Sequence, residues 1–252
     1  MCRMLGLVAA RPVSPRVLLR DAPRSLAELS REHQDGWGMA RWTGDGWQVE
    51  RSTACAATCG RYARVVDHAP AELLIAHVRQ KTVGPTSLAN THPFRRVVGG
   101  GEVVFAHNGT VRDVAELTAR TSPARVAEVT GDTDSERLLA FVATSIDREG
   151  EVERGVQVAV ATLHELHDHH AGAGGVGSIN FLLSCGERLY AHRLGRSLHL
   201  LTRHGSAEAR RTEAVVIASE RLTDEPWTEL ADRTLLLVER DAARVPTVRH
   251  LR

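Results

Sequence analysis

Apolar segments with strand character alternate with polar turns through the first part of the chain, over residues 2–10, 36–42, 47–51, 73–79 and 103–106. Thr43-Gly44-Asp45-Gly46, between two of these segments, predicts a hairpin turn. Helical patterns cover residues 25–32, 111–120, 135–145 and 152–167. A glycine-rich stretch at 171–177 follows and reads as a flexible connector. Strand character then returns over 179–185, 188–193, 198–202, 214–218 and 234–238. Many strands and few helices imply a mixed fold, and two sheets covered by helices are a natural way to bury that much strand. Because the first strand starts at residue 2, the N-terminus is expected to be fixed inside a sheet.

With 252 residues, 42% of them hydrophobic, the chain supports a sizeable core in one large domain or two small ones. Lys plus Arg (32) and Asp plus Glu (31) nearly cancel to a net charge of +1. That balance gives no reason to expect a nucleic-acid or acidic-membrane partner. Lys81 is the sole lysine, a bias of composition. No apolar run approaches the roughly 18 residues of a transmembrane helix. The apolar start Met1-Cys2-Arg3-Met4-Leu5-Gly6-Leu7 is too short for a signal peptide, so the cytoplasm is the expected compartment. The four cysteines, Cys2, Cys55, Cys59 and Cys185, fit neither a disulfide framework nor paired C-x-x-C zinc spacing, and free thiols are expected.

Cys2 stands apart from the other three. Removal of Met1 leaves it with a thiol and a free α-amine on one residue. The α-amine, with an unperturbed pKa of about 7.7–8.0, serves as a general base near neutral pH without a histidine. The competing reading of Cys2 alone is a small buried hydrophobe. Six segments in order shift the balance: Met1-Cys2-Arg3, His33-Gln34-Asp35-Gly36-Trp37-Gly38, Ala76-His77-Val78-Arg79-Gln80-Lys81-Thr82-Val83-Gly84, Asn90-Thr91-His92-Pro93-Phe94, Phe105-Ala106-His107-Asn108-Gly109-Thr110 and Gly131-Asp132-Thr133-Asp134-Ser135-Glu136. In order and rough spacing they resemble the class II glutamine amidotransferases, strongly over residues 2–140 and weakly onward through Ala218-Ser219-Glu220-Arg221-Leu222-Thr223.

The resemblance implies an α+β N-terminal-nucleophile hydrolase fold, a four-layer αββα sandwich of two antiparallel sheets, as one domain over residues 2–252. It implies Cys2 as the nucleophile forming a γ-glutamyl thioester. Asn108, through its side-chain amide, and Gly109, through its backbone N–H, would form the oxyanion hole. Asn-Gly at the end of a strand is also an ordinary turn signal, and a tight turn is compatible with that role. Arg79 would bind the substrate α-carboxylate with its planar fork. Asp134 would bind the α-ammonium, while Thr133-x-x-Glu136 also fits a capping box. Thr82 and His92 fall on motif positions near the glutamine pocket. Where many family members have Trp after the first-segment Arg, this chain has Gln80, and its Asp-Gly-Trp-Gly segment looks like a stand-alone branch.

His164-Glu165-Leu166-His167-Asp168-His169-His170 is not H-e-x-x-H, since the second histidine comes one residue early; a solvated helix end is expected, with no metal. Glycines 172–177 precede a strand rather than a helix, so they are not a phosphate loop. Trp37, Trp42 and Trp47 are expected to pack across one hairpin. No cofactor is implied. The resulting expectation is a glutamine amidohydrolase acting on linear amides. Its ammonia would pass to a synthase partner subunit or be released, since the chain leaves little room for an acceptor domain. The alternatives are a γ-glutamyl amidohydrolase acting on a small-molecule intermediate, as in ergothioneine-pathway enzymes, and an inactive binding or regulatory subunit.

Overall fold

The computed structural model describes residues 2–68, 70–170, 175–205 and 212–252. Among the described residues, thirteen strands build two antiparallel sheets. Seven of them are β1 (Arg3–Val13), β2 (Trp37–Trp42), β3 (Trp47–Ser52), β4 (Ala71–Val78), β9 (His199–Arg203), β10 (Ala214–Ala218) and β11 (Thr228–Glu229), ordered β11-β9-β10-β1-β4-β2-β3. The second sheet contains β5 (Phe94–Val98), β6 (Gly101–Val111), β7 (Gly177–Ser184), β8 (Leu189–His192), β12 (Leu235–Arg240) and β13 (Pro246–Leu251), ordered β13-β12-β8-β7-β6-β5.

Side-chain alternation along these strands sorts the apolar residues into three layers. Met4, Val8, Leu73 and Ile75 of the first sheet meet Val104, Ala106, Leu182 and Leu236 of the second between the sheets. The opposite face of the first sheet, with Leu5, Leu7, Leu74 and Ala76, packs under α1 (Leu26–Leu29) and α2 (Gly60–Asp67). The opposite face of the second sheet, with Phe105, Phe181 and Leu237, packs under α5 (Asp134–Glu149) and α6 (Val152–His169). This is the expected helix–sheet–sheet–helix sandwich. Two further helices, α3 (Val114–Arg120) and α4 (Pro123–Ala127), link β6 to α5.

The hairpin at Thr43–Gly46 forms as expected, closed by Thr43 N–H donating to Gly46 O at 3.1 Å. Trp42 and Trp47 face each other across it, ring centroids 5.5 Å apart. Trp37 does not join them: strand alternation puts it on the opposite face, edge-on to Tyr62 at 5.0 Å. The helix expected from residue 111 starts later. Val111 still belongs to β6, and Asp113 caps α3 by accepting from Glu116 N–H at 2.9 Å. Asn108-Gly109 is not a turn: it lies within β6, opposite Asn180 and Ile179 of β7. Thr133 caps α5 through Glu136 N–H at 3.3 Å, but Glu136 reaches back past Thr133 to Thr130 and Gly131 N–H, with Arg96 as its ion partner. The end of α6 is not solvated on its inner face, where His164 Nε2 lies 3.0 Å from Nε2 of the fully buried His192. Of the glycine-rich stretch, residues 171–174 lie outside the described residues, and Gly177 opens β7.

Candidate active site

Cys2 immediately precedes β1 and continues the side-chain alternation of Met4 and Val8, toward the space between the sheets. Arg79 follows β4 in the alternation of Leu73, Ile75 and His77, toward the same space. Asn108 shares its face of β6 with Val104 and Ala106. Three side chains that are distant in sequence therefore point into one end of the inter-sheet layer. Arg79 (3% exposed) and Asn108 (4%) are withdrawn from solvent, which strengthens their interactions with any charge bound there.

The Cys2 sulfur lies 3.4 Å from both the backbone N–H and the backbone carbonyl of Gln80. Burial pushes its thiol pKa up; Gln80 and the Arg79 charge oppose this, and the Asp134 charge adds to it. At neutral pH it is therefore a thiol. Burial pulls the Arg79 guanidinium pKa down, against the Cys2 and Asp35 charges. Arg79 donates to Pro85 O at 3.2 Å and Val83 O at 3.1 Å, so it carries the loop of residues 81–86. Asp35 pins that loop from outside, accepting from Lys81 N–H at 2.8 Å and Thr86 Oγ1–H at 3.0 Å.

Asp134, 6% exposed at the start of α5, accepts from Val111 N–H through Oδ2 at 2.7 Å. Val111 faces Gly177 of β7 but gives its N–H to Asp134, on the side away from β7. Gly109, two residues earlier, presents its N–H on that same side, because hydrogen-bonding directions alternate along an antiparallel strand. Ile179, opposite Gly109, donates instead to Leu194 O at 2.8 Å, consistent with this alternation. Gly109 is required sterically as well: a Cβ there would lie 1.8 Å from Ser178 O.

The remaining expected residues sit differently. Thr82 lies on the exposed loop. His92 is 3% exposed, with its ring 4.3 Å from that of His77 and 4.5 Å from Phe94. It packs beneath the site as a neutral ring, since burial drives its pKa well below the ordinary value. Asn90, quoted in a motif without a role, holds two loops together: its amide donates to Pro85 O at 3.0 Å and its Oδ1 accepts from Asp132 N–H at 2.8 Å. All four cysteines are free. Among the described residues no group of three or more His, Cys, Asp or Glu is placed to hold a metal ion, and no helix is long and apolar enough to cross a membrane.

Comparison with known proteins bears on the family and the fold. An uncharacterised protein of Methanocaldococcus jannaschii is 27% identical over 94% of this chain and 69% of its own length. A Haemophilus influenzae protein provisionally named a glutamine amidotransferase is 30% identical over 81% of this chain and 66% of its own. The crystal structure of a predicted glutamine amidotransferase from Pseudomonas aeruginosa superposes with a TM-score of 0.65 at 26% identity, covering 94% of this chain and 96% of that one. The glutamine phosphoribosylpyrophosphate amidotransferase of B. subtilis shares the fold, with a TM-score of 0.70 at 16% identity, covering 99% of this chain and 49% of that longer one. The family model of the class-II glutamine amidotransferases matches residues 1–209, and the chain belongs to that family.

Proposed function

We propose that the chain hydrolyses the side-chain amide of glutamine through a γ-glutamyl thioester on Cys2. The observation that carries this reading is the convergence of the Cys2 thiol and the buried Arg79 and Asn108 at one end of the inter-sheet layer, with the Asp134 carboxylate near enough for its charge to act on the Cys2 thiol. Removal of Met1 exposes the Cys2 α-amine, which takes the thiol proton, directly or through a water. The sulfur attacks the amide carbon, and the Asn108 amide and Gly109 N–H stabilise the oxyanion that develops. Arg79 pairs with the substrate α-carboxylate and Asp134 with its α-ammonium, fixing the scissile amide against the sulfur. The ammonium formed at Cys2 protonates the leaving nitrogen, ammonia departs, and water attacks the thioester. The products are glutamate and ammonia, the latter released or passed to an acceptor-bearing synthase subunit.

Purified protein is assayed with glutamine and with γ-glutamyl amines, reading released ammonia or amine. Turnover of glutamine is expected. Turnover of a γ-glutamyl amine with none of glutamine would move the reading to a γ-glutamyl amidohydrolase, and no turnover of either would refute it.

A further inference from the structure

Gln80 touches the nucleophile with backbone alone, and something must hold that backbone in place. Its N–H and its C=O both lie 3.4 Å from Cys2 Sγ, and these contacts suit opposite protonation states. A thiol donates S–H to the carbonyl. A thiolate has no proton to give and accepts from the N–H instead. Ionisation therefore exchanges one Gln80 partner for the other, and a small displacement of residue 80 changes which form of the sulfur is favoured. Hydrogen bonding to the charged form lowers a thiol pKa.

The side chain of Gln80 is anchored 47 residues away in sequence. Its Oε1 lies 3.1 Å from Nδ1 of His33. An amide oxygen only accepts, so Nδ1 carries the ring proton in this arrangement. His33 is 4% exposed, and its Nε2 is buried without a hydrogen-bond partner among the described residues. Its backbone N–H is tied to Ser30 O at 3.0 Å, which fixes the ring's base. Burial lowers its pKa to about 4, so at neutral pH the ring is an uncharged donor.

We infer that His33 is a positioning residue for the nucleophile: its Nδ1–H locks Gln80 so that the Gln80 backbone N–H stays aimed at the Cys2 sulfur. The inference rests on the reading of Cys2 as nucleophile. It gives His33 no proton-transfer role, and the unpartnered Nε2 is the atom that separates the two ideas.

The test is the pH dependence of Cys2 alkylation by iodoacetamide, followed by peptide mapping so that Cys55, Cys59 and Cys185 do not contribute. Beside it, kcat and KM for glutamine are measured. His33→Ala is expected to raise the apparent thiol pKa by about one unit and to lower kcat about tenfold, since one unit is a tenfold change in thiolate below the pKa. KM should stay within about twofold, because no substrate contact is removed. His33→Asn, whose side-chain N–H replaces Nδ1–H, should restore both. If His33→Ala fails to fold, Gln80→Leu breaks the same contact from the other side and should give the same shift. An unchanged alkylation profile in the alanine variant, or in Gln80→Leu, would overturn the inference. An asparagine variant as impaired as the alanine one would also overturn it, pointing to Nε2. Wild-type protein that shows the expected Cys2 profile but does not hydrolyse glutamine would refute the proposed function and leave the His33 lock standing.

Discussion

Replacing Asp134 with Asn separates substrate binding from structure at a single atom. Oδ2 of Asp134 accepts from Val111 N–H at 2.7 Å. Asn has one oxygen and one NH2 group. The oxygen must stay on Val111 N–H, because an NH2 there would set donor against donor. The NH2 then faces the position proposed for the substrate ammonium, another donor. The substitution thus removes a charge-assisted hydrogen bond and puts an opposing dipole in its place. Loss of such a bond costs roughly 1.5–3 kcal/mol, or about 10- to 150-fold in kcat/KM, and the reversed dipole puts the expected effect near the upper end. The fold should lose little: the Val111 bond persists, and α5 gives up one favourable charge at its N-terminus, about 0.3–1 kcal/mol. Steady-state kinetics with glutamine and N-acetylglutamine read the effect, and thermal melting checks the fold. Wild-type enzyme should use N-acetylglutamine poorly, and Asp134→Asn should discriminate against it far less. Wild-type enzyme that turns over both equally well would show that Asp134 serves only Val111 and the helix end.

Gly109→Ala should destabilise the protein by about 3 kcal/mol or more, beyond ordinary overpacking, because its Cβ would lie 1.8 Å from the Ser178 carbonyl of the paired strand. A urea midpoint equal to wild type would refute that close approach. Asn108→Ala should lower kcat by on the order of 10²–10³ with KM little changed; a pure KM effect would place Asn108 in substrate binding. Stability should fall as pH drops below about 6.5. His77 and His192 are buried with pKa values near 3, and His92 is shifted the same way, so the unfolded chain binds these protons first. Between pH 7.5 and 5.5 each contributes about 1.4 kcal/mol of loss, about 4 kcal/mol together. Urea melts at the two pH values test this. His192→Gln should reduce the loss by about 1.4 kcal/mol, and a flat profile would contradict the burial of these rings as neutral bases.

Central strands were legible in the sequence because both of their faces are buried. β4 reads as a continuous apolar run since Leu73 and Ile75 serve the inter-sheet layer while Leu74 and Ala76 serve the outer one. Edge strands were less so: β3 was read from residues 47–51, but β5 and β13 were not. β5 carries exposed Arg95, and β13 carries exposed Arg249 and His250 in succession with Pro246 as its one buried position, so each looks like loop. The eight-residue α2 buries just Tyr62 and Val66, a signal too thin to find. Asn108-Gly109 misled because the local preference of that dipeptide for a turn is overridden by the ladder to β7. The charged groups proposed for the site, Arg79 and Asp134, come from ordered motifs. The supporting contacts, His33 with Gln80 and Asn90 with Asp132, depend on the meeting of loops 42 to 47 residues apart, which no local pattern encodes.

The central claim is that Cys2 is the nucleophile, and a glutamine-analogue electrophile tests it most directly. The protein is incubated with 6-diazo-5-oxo-norleucine, with and without excess glutamine, and its peptides are mapped by mass. The account predicts one adduct, on a Cys2 that has lost Met1, suppressed by glutamine and accompanied by loss of glutaminase activity, with Cys55, Cys59 and Cys185 unmodified. Inactivation with Cys2 unlabelled, or equal labelling of Cys2→Ala protein, would contradict it.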